Sequence, residues 1–175
     1  MIFSLIALLI VAIIVIVAFL APKNYEIKRS IVIDRPHIGV FNYLKYLKNQ
    51  DHWCPGRKKD PYIKQEYEGV DGEVGFIMKW EGNSDVGTGE QEITHIVKNE
   101  RIEVTARFFK PMKSTLFVFT IVENLGRMQT KVTWGFTSEY KFPMNVLMLF
   151  YNMDKDAGND YEIGLRNLKN LLEKN

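Results

Sequence analysis

From residue 61 to residue 138 the chain alternates apolar and polar side chains by twos, and one long amphipathic helical pattern follows. Period two marks a β-strand with one face turned to a core. Six runs carry it, at 61–69, 73–81, 88–98, 100–109, 114–123 and 128–138. Asp71-Gly72, Lys98-Asn99, Pro111 and Asn124-Leu125-Gly126 punctuate them, and links this short join antiparallel neighbours. A further strand is read at 25–34, with Ile27, Ile31 and Ile33 on one face. Asp34 then caps a helix that holds Pro36 in its first turn and places Val40, Phe41, Tyr43, Leu44 and Leu47 at helical spacing. A short second helix or irregular turn at 49–56 carries Trp53, and the closing helix, from Asp156, presents Tyr161, Leu165, Leu168 and Leu172 on one face. The order is strand, two helices, six strands, long helix, an α+β chain with a seven-stranded antiparallel sheet. One sheet face needs cover, and the C-terminal helix is the only long amphipathic element available to give it. A curved sheet gripping one helix leaves a hollow between them, a natural apolar ligand site.

Residues 2–21 contain no charge and a single hydroxyl, Ser4. As a helix the run spans roughly 30 Å, the hydrocarbon thickness of a bilayer. A cleaved secretory signal would need basic residues before the run, about 7–15 apolar residues, and a small residue where Phe19 stands. None is present, so residues 1–22 are read as a transmembrane anchor and residues 23–175 as one domain. Lys23, Lys28, Arg29 and Arg35 follow the span and only the terminal amine precedes it, which puts the domain on the cytoplasmic side of the membrane. The 23 basic and 21 acidic residues are scattered rather than gathered on one face, which speaks against nucleic acid as a partner. With the single cysteine, Cys54, no disulfide forms within the chain.

Alternation assigns inward faces: Phe76, Met78 and Trp80; Ile93, His95 and Val97; Ile102, Val104, Ala106 and Phe108; Val132, Trp134 and Phe136. The expected ligand contacts are Phe76, Met78, Trp80, Ile93, His95, Val104, Phe108, Trp134 and Phe136, joined by Tyr161 and Leu165 from the last helix. Met148 and Tyr151 join them from the apolar stretch 142–151, too short to span a bilayer and read either as a cavity mouth or as a buried turn. A solid core with no ligand is the plainer reading of any one of these aromatics. His95 is the polar member of the set, suited to orienting a ligand oxygen or moving a proton near neutral pH, although a structural histidine is the plainer reading. Arg107 alternates onto the polar face, where arginine is solvated or paired. His37, His52 and His95 have no metal-ligand spacing, and one thiol builds no zinc site, so no metal is expected. Gly87-x-Gly89 has no helix after it to complete a phosphate cradle and reads as a hairpin loop. In the run 114–123, Leu116 and Val118 face one way and Phe117, Phe119 and Ile121 the other; the second apolar face is either covered or a contact surface. Gly164 opens space between the last helix and the sheet.

The segments YEIKRSIVIDRPHIGVFNYLKYLKNQDHW, GTGEQEITHIVKNERIEV, TKVTWGF and DYEIGLRNLKNLLE together make the chain, over about residues 24–174, resemble the START-like (SRPBCC) helix-grip superfamily. The closing Gly-Leu-x-Asn-Leu-Lys run is similar to that of the bacterial polyketide cyclase/dehydrase and lipid-transport branch, some of whose members carry one N-terminal span. After Trp53 relatives often place a second tryptophan, where this chain has Cys54-Pro55-Gly56-Arg57. The resemblance implies a curved sheet around a long C-terminal helix and a hydrophobic cavity, not one chemistry. The expected function is binding of a lipid, isoprenoid or polyketide-like molecule by a membrane-anchored domain without a cofactor, and binding is favoured over catalysis. A cyclase or dehydratase would need at least two inward polar groups converging with His95. A ligand-free protein-interaction module would show a filled interior and an exposed apolar patch, and the sequence names no protein partner.

Overall fold

All six runs become strands, and the strand before them joins the same sheet. The computed structural model describes residues 2–150 and 152–174, except for the side chains of residues 2, 5, 7, 10, 11 and 57. The order is α1 (Ile2–Leu20), β1 (Asn24–Ile33), α2 (His37–Leu44), a 3₁₀ turn (Leu47–Asn49), α3 (Gln50–Trp53) and α4 (Gly56–Lys59). It continues through β2 (Lys64–Glu68), β3 (Ile77–Glu81), β4 (Thr88–Val97), β5 (Arg101–Lys110), β6 (Ser114–Gly126) and β7 (Gln129–Glu139). After the sheet come α5 (Met144–Leu147), a second 3₁₀ turn (Met148–Phe150) and α6 (Met153–Lys174). The seven strands lie in the order β1-β7-β6-β5-β4-β3-β2 with every neighbour antiparallel. The first strand thus pairs with the last, and α2, α3 and α4 carry the chain from one sheet edge to the other.

Several local expectations change: the strand expected from residue 73 starts only at Ile77, α2 ends at Leu44 rather than running on through Leu47, and two further changes have a clear local cause. Asp34 does not cap α2, whose start has no side-chain cap; its carboxylate accepts a bond from Gln129 Nε2 at 2.9 Å. The strand expected from residue 61 starts only at Lys64, because Pro61 and Tyr62 form a turn in which the Tyr62 amide donates to Asp60 Oδ1 at 3.0 Å. Turn residues that satisfy their own amides locally do not need a ladder partner.

The inner sheet face, α2, α3 and α6 share one core, in which Ile33, Ile93, Val132 and Leu168 are wholly buried. Helix α6 is fixed to β1 along its length by polar contacts. Arg29 reaches Asp154 Oδ1 and Glu162 Oε1, each at 2.8 Å, and Lys169 Nζ donates to the Val32 carbonyl at 2.7 Å. At the far end Arg35 donates to the carbonyls of Leu172 (2.6 Å) and Glu173 (2.9 Å), filling acceptors that a helix C-terminus leaves open. The Asp34 amide donates to the Glu173 carboxylate at 2.7 Å, which holds that carboxyl below its ordinary range.

Helix α1 runs 19 residues, about 28 Å at the usual rise. Among the described residues no helix is long and apolar enough to cross a membrane, so the anchor read at residues 1–22 is not established by the structure.

Candidate functional site

Helix α6 packs mainly on β1 and β7 and covers the inner faces of β3, β4 and β5 less closely. Helices α3 and α4 stand opposite them, and a cavity of about 300 Å³ opens between. Its apolar wall is Met78 and Trp80 from β3, Phe108 from β5, Trp134 from β7 and Tyr161 from α6. Trp134 is the centre: Tyr161 stacks on it at 3.8 Å between ring centroids and Trp53 meets it edge-on at 4.8 Å. Trp80 and Phe108 form a second edge-to-face pair at 5.2 Å. Ring pairs of this kind add about 0.5–1.5 kcal/mol each beyond the area they bury.

The polar groups of the lining are held in separate pairs. Gln91 Nε2 donates to Gln50 Oε1 at 2.8 Å, and Gln65 Nε2 donates to Asp51 Oδ1 at 2.9 Å. Lys59 and Asp160 pair across the rim from α4 to α6. Burial pushes the Tyr161 phenol far above the ordinary tyrosine range and the Cys54 thiol well above that of cysteine, so both line the cavity as neutral, protonated groups.

No family model and no curated protein matches the sequence. Solved structures do resemble the fold. The norcoclaurine synthase of Thalictrum flavum, in complex with dopamine and hydroxybenzaldehyde, superposes with a TM-score of 0.64 at 12% identity, over 91% of this chain and 92% of the other. The Aha1 dimer of Colwellia psychrerythraea gives 0.58 at 16% identity, over 85% and 96%. Ara h 8.0201 gives 0.55 at 14% identity, over 87% and 99%. The chain has the Bet v1/SRPBCC helix-grip fold. Identities this low carry the fold alone.

In this helix-grip domain, the expected contacts divide. Met78, Trp80, Phe108, Trp134 and Tyr161 line the cavity. Phe76, Ile93, Val104 and Leu165 are buried in the solid core, and Phe136 lies beneath Tyr161 at 5.6 Å. Met148 is buried outside the cavity, and Tyr151 falls outside the described residues. The stretch at 142–150 contributes nothing to the cavity; it packs beside α1 instead, where Asn145 Nδ2 donates to the Ala18 carbonyl at 3.0 Å.

His95 is on the other face of the sheet. The register slips between Ile93 and His95, leaving Thr94 as the extra residue of a β-bulge, so Ile93 faces Val104 and Ile96 faces Ile102 in the core. The imidazole therefore points out, beside Glu103 at 3.6 Å. Arg107 is on the same outer face, paired with Glu90 and Glu92 at 3.1 and 3.0 Å. A larger groove, about 600 Å³, runs over this outer face, and the ion pairs Lys28–Glu26, Arg101–Glu103 and Lys131–Glu123 line it. Of the apolar residues in question on β6, Phe119 is nearly covered, with the Arg101 guanidinium 5.4 Å above its ring, and only Phe117 is more than half exposed. On this strand that is too little apolar surface for a contact patch.

The partly exposed Cys54 thiol and Tyr161 phenol, both shifted upward by desolvation, have a consequence for stability. Each keeps its proton in the folded chain at pH values where the unfolded chain has lost it. Their contribution is complete below the ordinary values, 9.0 for cysteine and 10.0 for tyrosine, and is lost as pH rises toward the folded values. The slope is about 1.4 kcal/mol per pH unit for each group. Urea midpoints should therefore fall steadily above pH 9.0, and Cys54→Ser should remove the first part of the decline. An unchanged midpoint across that range would show that neither group is desolvated in solution.

Proposed function

We propose that this domain binds a small, uncharged, largely apolar molecule in the cavity between β3–β5 and α3, α4 and α6, and that residues 2–21 hold it at a membrane. The observation that carries the binding reading is the wall itself: aromatic and apolar side chains from β3, β5, β7 and α6, with the amide and carboxylate groups of Gln50, Asp51, Gln65 and Gln91 set among them. At about 300 Å³ the cavity lies at the lower end of the usual range for ligand sites, ~300–1,000 Å³, which suits one or two rings or a short chain rather than a two-chain lipid. The synthase of similar fold is described with two single-ring molecules, which fits that size class. Asp51, Asp85 and Asp160 face the cavity against Lys59, so a carboxylate or phosphate would meet a net negative wall. Tyr161, kept neutral, is the natural donor to a carbonyl or hydroxyl oxygen. The cyclase or dehydratase reading loses the acid–base group it was built on, because His95 lies on the opposite face.

Support for the tether is the uncharged run itself, together with Phe3, Leu8, Leu9, Val15, Ile16, Phe19 and Leu20, each more than half exposed on α1. Exposure to water costs about 25 cal/mol per Å² of apolar surface, and a bilayer removes that cost. Lys23, Lys28, Arg29 and Arg35 just after the run favour a cytoplasmic domain. Release of the full chain from membranes by alkaline carbonate would refute the tether.

The binding test uses the full chain purified in mild detergent, with native mass spectrometry and solvent extraction to find what it carries. Phe108→Ala and Tyr161→Phe should each weaken retention of that molecule by roughly tenfold, about 1.4 kcal/mol, whereas His95→Ala should leave it unchanged. Loss on His95→Ala alone would move the site to the outer groove, and repeated recovery of an empty chain would end the binding reading.

A further inference from the structure

The short apolar segment after the sheet sits where neither the core nor the cavity uses it. It leaves β7, passes through α5 and the 3₁₀ turn that follows, and lies beside the last turns of α1. Asn145 is wholly buried and bonds the Ala18 carbonyl, and Met148 is buried as well. The side chains turned outward are Phe142 (64% exposed), Leu147 (54%), Leu149 (47%) and Phe150 (87%). A turn of this length facing water would show polar groups on that side; this one shows large apolar ones.

We infer that the segment 142–150 is a second membrane contact, seated in the headgroup region beside the end of α1. The inference rests on the tether proposed above and adds where the domain itself meets the lipid. Depth agrees with it: Ala18 is two residues before the end of α1, so the segment is held about 3 Å from that end, within the ~5–10 Å over which interfacial segments bury their apolar face. Surface continuity agrees too, because a groove of about 500 Å³ is lined jointly by Ile14, Val15 and Phe19 of α1 and by Phe142. Charge agrees in turn: Lys141 and Lys23 line the same groove against one carboxylate, Glu139, all three exposed, which leaves a net positive charge for anionic headgroups. Two attachment points fix an angle where one leaves the domain free to swing. The segment is thus a foot that orients the domain on the bilayer, and it plays no part as a gate to the cavity.

The test places an environment-sensitive fluorophore on the full chain in nanodiscs of phosphatidylcholine and phosphatidylglycerol. Leu147→Cys and Phe150→Cys in a Cys54→Ser background report on the foot, Leu9→Cys on α1, and Tyr62→Cys, 91% exposed near α4, on water. With a nitroxide lipid labelled near the headgroup, the two foot labels should lose about half of their emission and the Tyr62→Cys label almost none. Quenching of Leu9→Cys by a deep nitroxide without quenching at the foot would overturn the inference and leave the tether standing. Foot labels shielded from aqueous iodide but untouched by the nitroxide would assign the face to a protein or a second copy, and would also overturn it. Absence of quenching at Leu9→Cys would overturn the tether and the foot together.

Discussion

Trp134→Ala is expected to destabilise the domain by about 3–5 kcal/mol, the usual cost of removing a buried tryptophan from a core. Its ring is 8% exposed, stacked on Tyr161 and met edge-on by Trp53, so it joins β7, α6 and α3. Alanine leaves a void bounded by rings that cannot collapse into it, since each is held by a different element. For a chain of this size the melting temperature should fall by about 6–20 °C. The same substitution opens the floor of the cavity, so ligand retention should disappear even at temperatures where the protein stays folded. A loss below about 1 kcal/mol would show that the three rings do not carry the helix–sheet joint.

Gly135→Val is expected to cost about 3 kcal/mol, the upper end of what overpacking exacts. Gly135 lies opposite Lys28 of β1 and Phe119 of β6, on an interior strand flanked on both sides. A Cβ there would come within 2.5 Å of the Ile27 carbonyl oxygen and 2.8 Å of the Phe119 ring. The first obstacle is backbone, held in the β1–β7 ladder, and cannot rotate away. Gly39→Ala is the comparison: nothing lies within 4 Å of its added Cβ, and in the exposed part of α2 alanine should stabilise by up to about 1 kcal/mol. Chemical denaturation of both variants in the same detergent reads the contrast. Equal effects would mean that the sheet is not packed as described at β1–β7–β6.

Element type and order were legible because hydrophobic periodicity is a sum over many residues, and six period-two runs tolerate an error in any one. Single residues were less secure where the period is broken locally. His95 shares parity with Ile93 in the sequence, and only the extra residue at Thr94 sends it outward; the pairing of Ile96 with Ile102 is the signal that a bulge was needed. Gln91 carries the opposite lesson, since its parity with Ile93 points it inward, as found, and an apolar search passes over it. Gln50 and Asp51 come from a four-residue helix too short for periodicity to orient. The place of 142–150 depends on a contact with Ala18 more than a hundred residues away, which no local pattern encodes.

The polar contacts from Arg29, Asp34, Arg35 and Lys169 all lie between α6 and the strand end of the fold at β1, away from the cavity wall formed by α3, α4, Gln65, Gln91 and Phe108. The polar contacts that hold the long helix are therefore distinct from the residues that meet a bound molecule, while its aromatic joint, Trp134 with Tyr161, is shared with the cavity floor. Substitution at lining positions away from that joint, such as Gln65, Gln91 and Phe108, is free to change what the cavity accepts without loosening the polar grip, and a lineage carrying this fold has room to alter specificity there one residue at a time.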